Sequence, residues 1–496
     1  MKSVNSDNNT YSSIFKSTFL FGFVQVFNII VKVGLNKAVA YFLGTEGMGV
    51  ISLYQSTINI LKTGFELGIS QSAVRDISQG ANISKTSFSR VITIVKRIIC
   101  FTALIGGVIT LVLSPWLSKW TFDSSDYTYP FMWLSLVVIL NIITEGQLGI
   151  LKGARQLKSL AKASLLGSLV GLVAGVPLYY FFGKNGIVPS LLVTALAAVI
   201  FSHYYVGKID YDKSKVSSGD AFREGKMMIK MGIALMYVSF LGVLTDYIIR
   251  IYISNVSDIH MVGLFQAGSM VVTSYFGIVI TALTTDYYPR ISAINNDNKA
   301  VEREFNKQSE VGLIIIAPLV VIFMFAQQFF IMFLYTDAFM PIIEYLEYAT
   351  FGVLMLVCSN ALGIILLAKQ ASNIFFFTST FGRIVIVIIS LLCFKYWGLQ
   401  GLGIAYVVTA FFHLLLMQSV LWIKYKIAMS RRLLYMLSIA FLFAFGGFLA
   451  KDIDNEYLRY LTGGGLIFLT IIYAIYQMKN IMEIDILKYV KCKLRR

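Results

Sequence analysis

Charge is what this sequence has least of. Only 14% of its 496 residues are Asp, Glu, Lys or Arg, while 57% are hydrophobic, against roughly 25% charged in soluble domains. Length alone would allow several soluble domains. The composition excludes them and points to one all-α, polytopic membrane protein. Cysteine is also sparse. Cys100, Cys358, Cys393 and Cys492 keep no metal or redox spacing, and the first three lie in apolar runs where packing is their expected role. Long polar segments are missing as well. The largest loops, about 207–230 and 289–309, run to roughly 20 residues and leave no room for a soluble catalytic domain. Lys85-Thr86 lacks the glycine that a phosphate-cradling loop places before its lysine, so ATP hydrolysis by this chain is not expected. No small-residue cleavage site follows the first apolar run of about 30 residues, which reads as a retained helix rather than a signal peptide.

What is present is a succession of apolar stretches of about 20 residues, each able to cross a ~30 Å hydrocarbon core as a helix. Fourteen are predicted: about 14–42, 48–76, 89–113, 130–153, 160–182, 187–206, 231–253, 262–288, 310–334, 342–368, 374–394, 401–423, 433–450 and 458–478. The net charge of +16 would point a soluble protein toward nucleic acid. Here the basic residues sort by side instead, and no nucleic acid is expected. With the amino terminus inside, about 32 of the 42 Lys and Arg fall in cytoplasmic tails, loops and helix ends. The outer loops hold Lys119, Lys184, Lys395, Lys451 and Arg459, and the spans hold Lys32, Lys37, Lys62, Arg250 and Arg383. That asymmetry predicts both termini in the cytoplasm. The basic tail (Lys488, Lys491, Lys493, Arg495, Arg496) fits topology and contact with anionic lipid.

An internal repeat runs at an offset of 214–215. Gly49 pairs with Gly263, Leu148-Gly149-Ile150 with Leu362-Gly363-Ile364, and Gln156 with Gln370. After a one-residue shift, Gly183 and Gly186 pair with Gly398 and Gly401. Each unit holds six spans, and an even number preserves orientation, so the halves are parallel repeats of a kind found in transporters. The expected divisions are 1–208, 209–428, and 429–496 with two extra helices and the basic tail.

Ionisable groups inside a span are costly, so each marks a candidate site. Gln55, Asn59, Lys62 and Glu66 fall within about 60° of one helical face, the wall of a water-filled path. In the first span Gln25, Asn28, Lys32 and Asn36 share an arc of about 80°, while Lys37 points off it and is expected to snorkel. Asp246 and Arg250, and Asn141 and Glu145, are each four apart on one face; Arg383 and His413 sit near mid-span. Plainer roles compete: Asn and Gln can simply join helices, Lys62–Glu66 and Asp246–Arg250 can be neutralised pairs, and His413 reads as a satisfied core histidine. Lys32, Lys62, Arg250 and Arg383 against Glu66, Glu145 and Asp246 leave a slight cationic excess. A cationic cavity suits a phosphate or diphosphate. Glu66, Asp246 and Glu145 are the candidates for H⁺ or Na⁺ coupling, with no other cofactor.

The amino-terminal pattern then resembles a known family. Leu43-Gly44, Gly47-Met48-Gly49, Ser52-Leu53-Tyr54-Gln55 and Glu66-Leu67-Gly68-Ile69-Ser70-Gln71-Ser72-Ala73-Val74-Arg75 are similar to the Wzx-type flippases of lipid-linked oligosaccharides, in the multidrug/oligosaccharidyl-lipid/polysaccharide superfamily. Glu66 stands where aspartate is usual, and the extra helix pair resembles the fourteen-helix members, such as lipid II flippases. The resemblance implies a V-shaped bundle of two six-helix lobes in the bacterial inner membrane, moving an undecaprenyl-diphosphate oligosaccharide to the outer leaflet by alternating access. It implies Lys32, Lys62, Arg250 and Arg383 in the cavity with Gln55 and Asn59, and Arg75 at the cytoplasmic mouth near head groups. Polysaccharide polymerase and glycosyltransferases are the further partners it implies. The rivals are a multidrug cation exporter, which needs an acidic cavity, a membrane polymerase, which needs an extramembrane catalytic segment, and a scaffold for glycan assembly.

Overall fold

The computed structural model describes residues 2–211 and 216–482, with side chains from Phe27 onward except at 82, 218, 220–222, 285 and 480–482; the Gln25 side chain and the basic tail lie outside those descriptions. The chain is all-α among these residues. Among the described residues, ten helical stretches are long and apolar enough to cross a bilayer.

Two compact units divide the chain: residues up to Gly263 with Leu334–Thr336, and Leu264–Phe333 with Asp337 onward. In the first lie α1 (Lys2–Glu66), α2 (Ile69–Ile83), α3 (Lys85–Phe122), α4 (Thr128–Gly153), α5 (Leu157–Phe182), α6 (Ile187–Gly207) and α7 (Ser218–Val256). Helix α8 (Ile259–Met270) begins in the first unit and ends in the second. The second continues with α9 (Phe276–Thr285), α10 (Tyr287–Ala293), α11 (Asn298–Phe325), α12 (Gln327–Leu334), α13 (Ile343–Ala368), α14 (Ser372–Tyr425), α15 (Arg431–Ala450) and α16 (Glu456–Met482).

Glycine decides where spans run together. Gly44 (φ 65°, ψ −163°) separates the first two spans inside α1, and Gly398 (φ 55°, ψ −135°) separates two inside α14. Only glycine enters such conformations without a Cβ clash. The second span, expected as one helix to about residue 76, instead breaks at Leu67–Gly68, both left-handed (φ 53° and 64°). A Cβ on Gly68 would lie 2.1 Å from the Gly232 carbonyl oxygen of α7, so the break is where two backbones meet. The stretch expected at 262–288 is likewise interrupted, by a π-turn over Val271–Tyr275 and again at Asp286.

The repeat is built into the backbone. Gly183 and Gly398 share φ 55°, with ψ −133° and −135°. Three residues later, a Cβ on Gly186 or Gly401 would strike the carbonyl of Leu178 or Cys393, again 215 apart. Helix α4 ends with Ala154 N–H on Ile150 O, and α13 with Lys369 N–H on Ile365 O. The left-handed residues that follow are Arg155 and Gln370. The equivalent of Gln370 is therefore Arg155, and the pairing of Gln156 with Gln370 is one residue off, because the register has already moved to 215 by the end of α4. Helices α3 and α11 also both begin at a side-chain cap, Ser84 and Asp297, 213 residues apart. Ser84 Oγ accepts from Ser87 N–H at 3.1 Å, and Asp297 from Lys299 and Ala300 N–H at 2.9 and 3.1 Å.

Helix α7 opens the second repeat by sequence but packs along the second half of α1 in the first unit. Ser52 meets Arg250, Gly64 faces Phe240, and Gly68 abuts Gly232, an antiparallel register held along the whole span. At the other end of this region Gly49 would place a Cβ 2.0 Å from Ile259 O, and Gly263 one 1.9 Å from Thr45 O. These are repeat-equivalent residues touching reciprocally.

In the second unit the extra helices are fastened to the repeat. Arg432 of α15 lies 3.8 Å from buried Glu310 of α11, and Lys451 pairs with Glu347 of α13. Gly463 of α16 sits against the Phe325 ring, where a Cβ would come within 2.1 Å. Of the cysteines, Cys358 is buried as packing requires, Cys393 is half-buried, and Cys100 is exposed on α3, so a packing role does not hold for Cys100.

Candidate functional site

Within α1, Val50, Leu53, Tyr54 and Ile58 are buried while Gln55 and Asn59 are exposed. Neither amide makes a hydrogen bond among the described residues. One helical turn deeper, Lys62 is half-buried and donates from Nζ to Glu145 Oε1 of α4 at 3.0 Å. The side chains are 22% and 36% exposed, a pair neither fully solvated nor sealed. Lys62 does not pair with Glu66, as the spacing had allowed. Glu66 is the last residue before the helix breaks, so its carboxylate turns to the first turn of α2. There it accepts from Ser70 N–H at 3.3 Å and from the Ser70 hydroxyl. Glu145 and Lys62 remain close enough to act on Glu66 electrostatically. Lys62, Glu66 and Glu145 thus form one cluster of mixed sign.

Arg250 of α7 is held by α1. Its Nε donates to Ser52 Oγ at 3.0 Å and Nη1 to the Asp246 carbonyl at 3.0 Å. The Asp246 carboxylate is more distant, at 3.9 Å, and 65% exposed. The expected Asp246–Arg250 pair is therefore loose, and Asp246 keeps most of its acceptor capacity free of Arg250.

Lys32 is exposed. Its neighbour in the first stripe, Asn28, joins helices: it donates to Ser164 Oγ at 3.3 Å and accepts from Ser168 Oγ at 3.0 Å. Lys37 donates to the Tyr335 carbonyl. Arg75, on α2, is exposed, with Nη1 against Met231 Sδ.

In the second unit Arg383 is half-buried and makes no hydrogen bond or ion pair among the described residues. The two arms of α14 fold it next to His413. The Phe381 and Phe412 rings lie 5.7 Å apart, and a Cβ on Gly382 would be 3.9 Å from His413 Cδ2. His413 Nδ1 is buried without a partner among the described residues, so His413 is not the satisfied core histidine that its isolation had led us to expect.

Among the described residues no three His, Cys, Asp or Glu side chains converge as metal ligands. The fold thus brings together Lys62, Glu66 and Glu145, and seats Arg250 with Asp246 and Ser52. It leaves Lys32, Gln55, Asn59 and Arg75 as separate exposed groups and sets Arg383 beside His413. Sequence reasoning missed Ser52 and Ser70. The signal for Ser70 is its position four residues beyond Glu66, across a Leu-Gly break.

Comparisons with known proteins agree on the class of molecule. The lipid III flippase of Escherichia coli (strain K12) is 22% identical over 396 residues, covering 77% of this chain and 92% of that protein. In structure, the lipid II flippase MurJ in an inward closed conformation matches with a TM-score of 0.73 at 13% identity, over 94% of this chain and 100% of that one. An inward-facing multidrug resistance transporter of the MATE family, in the MOP superfamily, matches with a TM-score of 0.66 at 14% identity, over 84% and 96%. The fold is that of these transporters. The sequence profile of polysaccharide biosynthesis proteins matches residues 38–344, more than half of the chain, and this protein therefore belongs to the polysaccharide biosynthesis protein family.

Proposed function

We propose that this protein is a flippase that moves an undecaprenyl-diphosphate-linked oligosaccharide from the inner to the outer leaflet of the bacterial cytoplasmic membrane by alternating access. The observation that carries the reading is a transporter fold whose apolar spans hold Lys62, Arg250 and Arg383. A charge at mid-span costs about 2.5–3.5 kcal/mol; Lys62 is matched only by the part-exposed Glu145, and Arg383 makes no ion pair among the described residues. Guanidinium and ammonium groups kept in this way suit a diphosphate that arrives and leaves. Lys32, Gln55 and Asn59 supply further donors, and Arg75 the entrance. Residues 1–208 and 209–428 are the two lobes in this reading, with both termini cytoplasmic. Glu66, Glu145 and Asp246 take up the coupling H⁺ or Na⁺. Polymerase and glycosyltransferases act after and before this step.

The test is where the lipid-linked oligosaccharide accumulates in a deletion strain. Accumulation on the cytoplasmic face, relieved by the wild-type gene, is the expected result. Normal delivery to the periplasmic face and normal polymerisation, with no redundant flippase, would overturn it. A second substrate, lipid II, is suggested by the fold match to a lipid II flippase along 94% of the chain. Complementation of a strain depleted of its lipid II flippase separates the two.

A further inference from the structure

A cavity of about 640 Å³ opens in the first unit, away from the charged cluster. Its walls are Val50 and Tyr54 of α1, residues between Asp126 and Trp133 just before and at the start of α4 (Tyr127, Tyr129 and Trp133 among them), and residues between Lys184 and Leu192 around the α5–α6 connection. All three segments lie at span ends that the arrangement of basic residues assigns to the outer side. The volume falls within the roughly 300–1,000 Å³ of small-molecule sites.

Its lining is aromatic and polar together. Buried Tyr54 packs edge-on against Phe122, Tyr127 and Phe131, and Phe122 stacks on Tyr127 at 3.8 Å, which makes a rigid floor. Tyr129 and Trp133 are 76% and 55% exposed and stack on no other ring among the described residues. Rings left bare at the edge of a cavity offer flat faces to a ligand. Around them stand Asp126, Asn185 and Lys184, the last bridged to Glu46 at 2.6 Å. Asn185 makes no hydrogen bond among the described residues. Together Lys184, Glu46 and Asp126 carry one positive and two negative charges, which disfavours a phosphate. The chemistry that fits is a neutral polyhydroxylated ring, its C–H face on an aromatic and its hydroxyls on a carboxylate, an amide and an ammonium. Aromatic residues at a membrane interface also anchor proteins to lipid head groups, but the acidic rim opposes anionic ones.

We infer that this cavity is a saccharide-binding subsite, which receives the glycan of the transported lipid at the outer face. The inference rests on the flippase reading. Delivery then proceeds in two places: charged groups in the spans hold the diphosphate, while this subsite takes hold of the leading sugars as they emerge. Holding them favours the outward step, and the absence of a cation excess lets the diphosphate pass.

The experiment uses the full-length protein in nanodiscs. The probe is the host's own repeat-unit oligosaccharide, released by mild acid and freed of lipid and phosphate, with inorganic phosphate and anionic vesicles as competing probes. Trp133 reports binding through its emission, and calorimetry reports it independently. The expected result is saturable binding of the oligosaccharide, weakened about 3- to 10-fold by Tyr129→Ala or Trp133→Ala. Trp133→Phe should retain much of it, Asp126→Asn should weaken it, and melting should stay unchanged because both rings are exposed. Equal binding by Trp133→Ala, or binding of phosphate or vesicles but not of the oligosaccharide, overturns the inference. Glycan export in cells separates the two levels. If Lys62→Gln abolishes export while the cavity variants alter neither export nor binding, the subsite falls and the flippase stands. If export does not depend on the protein at all, both fall.

Discussion

Replacing Gly49 or Gly263 by alanine tests the crossing at which the two repeats touch. A Cβ on Gly49 would lie 2.0 Å from Ile259 O, and one on Gly263 would lie 1.9 Å from Thr45 O, against 3.4 Å for an ordinary contact. The backbones would have to part by 3.4 − 2.0 = 1.4 Å and 3.4 − 1.9 = 1.5 Å. The obstructing atoms are backbone carbonyls, so no rotamer change relieves them. Overpacking of this kind costs about 1–3 kcal/mol, which for a unit of this size lowers apparent Tm by about 2–6 °C. Both substitutions wedge the same crossing, so once one has opened it the second has less to displace. The double variant is expected to cost less than the sum of the singles, by about 0.5 kcal/mol or more. Fluorescence-monitored melting of the purified proteins in one detergent measures all four states. Shifts below 1 °C, or strictly additive ones, would refute the close approach.

Lys62→Gln leaves Glu145 without its cation; with the pair 22% and 36% exposed, the expected cost is about 1–2 kcal/mol, between surface and sealed pairs. The exchanged pair Lys62→Glu with Glu145→Lys should recover melting but not export, since the ammonium has moved from α1 to α4; recovery of both would mean that the pair is only structural. Arg383→Lys keeps the charge but loses the planar fork; export is expected to fall sharply while expression and melting hold, and wild-type export would remove Arg383 from the site. Asp297, exposed at the start of α11, has its carboxyl held below the usual range by the Ala300 and Lys299 amides. Its capping is therefore complete above the unfolded carboxylate range and lost as pH falls through the lowered value. Amide exchange at residues 298–301 should rise over that window, and Asp297→Asn should abolish the pH dependence.

The helices and the repeat were legible because both rest on features local in sequence: apolar run length, and glycines needed for conformations other residues avoid. Register alone pairs Gly183 with Gly398, and their dihedral angles agree. Partner choice was not legible. Lys62 has a carboxylate four residues away on its own helix, but Glu145, eighty-three residues distant, takes the ammonium because the helix ends at Glu66. Leu67 gives no signal of its left-handed φ; the contact of Gly68 with Gly232 imposes it. The aromatic cavity was missed for a related reason. Tyr127, Tyr129 and Trp133 sit near a helix start, where aromatics are ordinary at an interface, and only folding brings Lys184 and Asn185 opposite them.

The break after Glu66 has a mechanical consequence. One carboxylate closes it, accepting from the Ser70 amide in the first turn of α2 and from the Ser70 hydroxyl. A bound proton would take one of those lone pairs and the negative charge that attracts the amide. If Glu66 carries the coupling ion, protonating it would therefore also weaken the hydrogen bonds that tie the end of α1 to the first turn of α2.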